Sequence, residues 1–153
     1  MIEILITGAI GGLFFYFMGT SVNKMKNKSL KNRIAKKIDN GLVEKVDLIR
    51  MLNYHTNVKK AQGEGLKYID LAEEKFANDR KVNQAIFNYY IHTGNFKKAL
   101  RKVEQQIEKT PNDADAIFAK GFCLYKLGNI SEAKICRNRA IEIDKSFSKR
   151  NYS

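Results

Sequence analysis

Two histidines and two cysteines are the side chains of this 153-residue chain best suited to nucleophilic or metal chemistry, so their spacing decides whether an enzyme is in view. Neither His55 nor His92 has a serine, cysteine or carboxylate at a spacing that defines a nucleophile with its base, or a set of metal ligands. His92 lies beside Gly94 and reads as a residue at a helix C-terminus, where the helix dipole favours an imidazole. Cys123 and Cys136 read as free thiols of a reducing compartment, serving as small buried hydrophobes. Gly8, Gly11 and Gly12 fall inside an apolar run, so they do not form a phosphate-cradling loop. The reading is of a non-enzyme: no catalytic residue, no cofactor and no metal are expected.

What remains is binding, and charge is the first guide to it. Lysine and arginine number 28 against 16 acidic residues, a formal +12, which draws a protein toward anionic lipid, acidic peptide or nucleic acid. The length allows one domain with an appendage and excludes a large multidomain enzyme. With Pro111 the sole proline, most of the chain can be helical.

The elements that position any binding residues begin with an apolar run, Ile2 to Val22, whose one charge is Glu3. At about 1.5 Å per residue a helix there reaches roughly 30 Å, the thickness of a bilayer core. Ile4, Leu5, Ile6, Ile10, Leu13, Phe14, Phe15, Phe17 and Met18 cover every face of such a helix, and its acidic start argues against a cleaved signal peptide. Lys24, Lys26, Lys28, Lys31, Arg33, Lys36 and Lys37 follow at once, which by the positive-inside rule places the C-terminal body in the cytoplasm. A bacterial inner membrane fits this topology better than a mitochondrial outer membrane. Each basic residue of this collar is expected to add on the order of 1 kcal/mol of attraction to an anionic leaflet. Lipid then accounts for the charge without nucleic acid. Gly8 and Gly12 form a G-x-x-x-G pair through which two spans can self-associate.

Behind the collar an internal period appears. Thr93-Gly94-Asn95 matches Leu127-Gly128-Asn129 at a spacing of 34, as do Ala99 with Ala133 and Ile107-Glu108 with Ile141-Glu142. Val82, Ile86, Tyr89 and Tyr90 before the first Gly-Asn, and Phe96, Ala99, Leu100, Val103 and Ile107 after it, recur at helical spacing. The pattern predicts two helices joined by a tight turn in which glycine takes the left-handed conformation. Pro111 stops the second helix, and Asp113 or Asp115 can cap the next. A degenerate unit over Val46 to Asp79 has Ile49 and Leu52 in a first helix, a loop around Gln62-Gly63-Glu64-Gly65, then Leu66, Ile69, Ala72 and Phe76 in a second.

On these residues the sequence resembles the tetratricopeptide repeat family. The resemblance covers Arg80 to Phe147 well and Val46 to Asp79 more loosely. Ala72, Ala99 and Ala133 fall on the family's small residue at the start of the second helix, Gly121 on the small residue where paired helices touch, Ala140 on the second alanine and Pro111 on the terminal proline. The resemblance implies an all-α fold of stacked helix hairpins that binds other proteins. With the span it gives an anchor over 1–22, a basic juxtamembrane linker over 23–43, a repeat domain over 44–147 and a tail over 148–153.

The family's groove-lining positions map onto Lys81, Gln84, Asn88, Ile91 and His92, then Asp115, Phe118, Phe122, Tyr125 and Lys126. Such a groove, aromatic with a polar rim, suits an amphipathic helix or an extended apolar peptide of a partner protein. Equally open is that Phe118, Phe122 and Tyr125 pack against the C-terminal tail or a third helix pair. The expectation is a membrane-anchored scaffold or adaptor that docks a protein at the cytoplasmic face. Its alternatives are a receptor for targeting peptides, similar in layout to mitochondrial import receptors, and a structural subunit of a membrane complex.

Overall fold

The computed structural model describes residues 28–57 and 63–152. Their contacts divide the chain into two units, Met1–Asp47 and Leu48–Ser153. In the first, residues 28–39 form helix α1, with Ile34 buried. Gly41 ends it at φ 70°, and the amides of Gly41 and Leu42 donate back to the carbonyls of Ile38 and Lys37. Lys37 does not stand free on the surface: its Nζ lies 2.7 Å from the buried Asp47 carboxylate and 3.9 Å from Glu44.

The second unit holds α2 (Lys45–Asn57), which starts at the boundary, then α3 (Leu66–Phe76), α4 (Arg80–His92), α5 (Phe96–Lys109), α6 (Ala114–Lys126) and α7 (Ile130–Ile143). A 3-10 turn, Lys145–Lys149, follows. Among the described residues there is no strand. The fold is an all-α, helical-repeat-like one, with α3 to α7 each packed on its neighbour in sequence.

The reason for this order is visible in the residues. Asp79 starts α4 by accepting from the amides of Lys81 and Val82, at 3.0 and 3.1 Å, and Asp113 starts α6 by accepting from Ala116 at 3.1 Å. A short carboxylate at that position satisfies amides the helix cannot. Val82, Ala85, Ile86, Tyr89 and Tyr90 form the buried face of α4. Fully burying a side chain such as Ile86 contributes roughly 1.5–3 kcal/mol. The α4–α5 and α6–α7 turns are the same turn made twice. Gly94 and Gly128 take φ of 73° and 89°, and the amides of Asn95 and Asn129 reach back to the carbonyls of Tyr90 and Leu124. That pattern satisfies the last carbonyls of a helix and requires a residue free to adopt positive φ. Ala99, Ala133 and Ala140 are buried at the helix crossings, where a small side chain lets helix axes come within about 8–10 Å. Lys102 to Glu73 at 2.6 Å and Lys120 to Glu104 at 2.9 Å add polar ties between neighbouring hairpins.

The single-span membrane architecture expected from the sequence is corrected here. Among the described residues no helix is long and apolar enough to cross a membrane. The helices α2 to α7 have 11 to 14 residues, about 21 Å at most, against a hydrocarbon core of about 30 Å. The single-pass location with a cytoplasmic C-terminal domain, and the lipid contact assigned to Lys28, Lys31, Arg33, Lys36 and Lys37, go with it. The residues of the expected span, Ile2–Val22, with Gly8, Gly12 and the collar residues Lys24 and Lys26, lie outside the described residues.

Candidate functional site

The side chains with the greatest chemical potential are structural in their surroundings. His55 is buried, its ring stacked on Tyr68 of α3 at 5.3 Å and edge-on to Tyr54 at 5.1 Å. His92 is exposed at the end of α4. Cys123 is buried on α6 and Cys136 half-buried on α7; burial pushes the Cys123 thiol up to about 12 and raises that of Cys136 as well.

The residues expected to line a groove fall on α4 and α6, and the two helices present them differently. On α4, Lys81, Gln84 and His92 are exposed and Asn88 and Ile91 half-buried; Gln84 Nε2 donates to Asn88 Oδ1 at 3.1 Å. Gln84 and Asp115 meet in a pocket of about 370 Å³ that also receives Arg80, Lys102, Gln106 and Asp113. Arg80 stands 3.6 Å from Asp113, and Gln106 donates to the same carboxylate at 3.4 Å. The pocket therefore offers amide and cationic donors beside carboxylate acceptors, a set that matches the N–H and C=O groups of an extended peptide. Arg80, Lys102, Gln106 and Asp113 were not identifiable as lining residues from the first helices alone. The signal for Lys102 and Gln106 lies in the second helix, whose face toward the next hairpin the repeat places.

On α6 the aromatic residues are covered by the chain itself. Tyr152 lies 4.8 Å from Phe118, 5.9 Å from Tyr125 and 6.4 Å from Phe122, ring centre to ring centre, and Phe147 lies 5.1 Å from Phe118. The structure thus decides between the two readings of the aromatic stripe: these rings pack against the C-terminal segment. Lys126 completes the cluster with its Nζ 5.3 Å from the Phe122 ring and 5.5 Å from that of Tyr125, a distance at which a cation is attracted to the ring face.

Gly121 explains why Tyr152 fits. A side chain there would overlap the tyrosine hydroxyl and stand 3.0 Å from Cys136 Cβ, so the absence of a side chain leaves the notch that the ring fills. The hydroxyl donates to the carbonyl of Ala133 at 3.3 Å, and burial, with a smaller contribution from Cys136, raises its pKa to about 12. Tyr152 was missed from the sequence. The one available signal is that it stands 34 residues after Phe118, in step with the repeat.

A scan against protein-family models and a search of curated proteins find no match to this chain.

Proposed function

We propose that the chain is a protein-interaction module of the tetratricopeptide repeat type, which holds an extended segment of a partner protein along the faces of α4 and α6 and performs no chemistry on it. The observation that supports this reading best is the coincidence of sequence step and structural step. The helix pair Arg80–His92 and Phe96–Lys109 recurs as Ala114–Lys126 and Ile130–Ile143, each boundary displaced by the same 34 residues. Repeats so arranged set their first helices side by side and offer an extended binding surface. The mixed donors and acceptors around Gln84 and Asp115 suit the backbone of such a segment.

A photo-crosslinking side chain placed at Gln84 or at Asn88 of the full-length protein tests this in native cells, with Ile135, exposed on α7, as the control position. Both α4 positions are expected to capture the same partner, and Gln84→Arg combined with Asp115→Arg to abolish capture while the helical circular dichroism is kept. Equal capture from Ile135 refutes the reading.

A further inference from the structure

We infer that residues 144–152 form a displaceable strap occupying the aromatic half of the partner surface, and that the partner segment replacing it carries the strap's own chemistry. That chemistry is two aromatic side chains five residues apart with a cation between them. The inference rests on the groove reading above and names the class of segment the groove takes.

The strap is held at two points. Phe147 packs among Ile117, Ala140, Ile107 and Phe118, and Tyr152 among Leu124, Ala133 and Phe122. From Ser148 to Asn151 every residue is exposed. The strap therefore runs along α6 in the direction of that helix, anchored at each end of the seam between α6 and α7. What lies between the anchors reads backbone and charge. Arg137 donates to the carbonyls of Ser148 and Arg150, at 3.0 and 3.2 Å. These bonds are indifferent to side chains and hold any extended chain lying in the same direction. Arg150 sets its guanidinium 4.3 Å from the Phe147 ring centre and 3.4 Å from Asp115. Asp115 also lines the polar pocket beside Gln84, so one carboxylate belongs to both halves of the surface. Beside Tyr152 a further space of about 310 Å³ opens between Tyr125, Ile130 and Arg137. The seam is wider than its resident occupant fills.

The probe is a fluorescein-labelled synthetic peptide with the sequence of residues 144–153, titrated onto the full-length chain by anisotropy. It is expected to bind the double variant Phe147→Ala, Tyr152→Ala at least tenfold more tightly than wild type, whose own strap competes. Adding Arg137→Ala, or changing the peptide's tyrosine to alanine, is expected to weaken binding about tenfold. A folded double variant that leaves the peptide unbound, or equal binding to wild type, overturns the strap. Hydrogen exchange on the wild-type chain decides the matter even where the variant fails to fold. Amides of residues 146–150 are expected to exchange at least a hundredfold faster than those of α6 and α7, and equal rates overturn the proposal. The two readings fail separately: peptide binding without capture at Gln84 removes the α4 half and keeps the strap, whereas capture without peptide binding does the reverse.

Discussion

Burial alone separates the two thiols. Cys123 is fully enclosed between α5, α6 and α7, and the loss of solvent around a thiolate, reinforced by the Glu104 carboxylate, lifts its pKa to about 12. Cys136 is half-buried, and Lys120 opposes the upward push of its surroundings. Because the thiolate is the nucleophile, native Cys123 is expected to react with iodoacetamide at pH 8 at least a hundredfold more slowly than a free thiol. Mass spectrometry of the Cys136→Ser variant, before and after urea, measures this directly. Fast labelling of the native variant would mean that α6 opens readily. The placement of Gly121 shows the limit of residue-scale reading. Its smallness is evident in the sequence as a helix-contact feature, but the ring that uses it, Tyr152, comes from a segment with no repeat signature to announce it.

At the scale of elements, helix starts and turns are set by a few polar and conformational choices made twice. Asp79 and Asp113 stand 34 residues apart and cap α4 and α6 in the same way. Asp79→Ala and Asp113→Ala are each expected to cost about 1 kcal/mol in urea unfolding. Their effects should add to within about 0.5 kcal/mol, since the caps share no partner. The hairpins over 80–143 were legible because apolar spacing, the Gly-Asn turns and Pro111 all point to the same boundaries. The cap at Asp79 was legible in principle, one repeat before Asp113. The strap was not: its apolar residues, Phe147 and Tyr152, recur at five, which is neither the helical nor the strand period. Residues 28–39, taken from their charge as a linker, form α1 instead, because Leu30, Ile34 and Ile38 recur every four residues within the basic run.

For the molecule as a whole, the buried acids of high pKa fix how stability depends on pH. Tyr90 is raised from 10.0 to about 12, chiefly by burial and then by Glu73 and Asp70, and Tyr152 and Cys123 rise to about 12 as well. Each is neutral when folded and ionises more readily when unfolded. The stability it contributes is complete below its unfolded pKa, 9.0 for the thiol and 10.0 for the phenols, and declines as pH climbs toward 12. The urea midpoint is therefore expected to be lower at pH 11 than at pH 8, and Tyr90→Phe to reduce that difference. A midpoint unchanged over this interval would show that the tyrosines reach solvent.

The neighbour-on-neighbour packing of α3 to α7 has a kinetic consequence. Few distant stretches of chain must find one another, so the entropy of closing large loops scarcely enters the barrier, and a chain of this kind is expected to fold within microseconds to milliseconds. Either helix hairpin can serve as the first ordered piece, from which structure spreads outward one seam at a time.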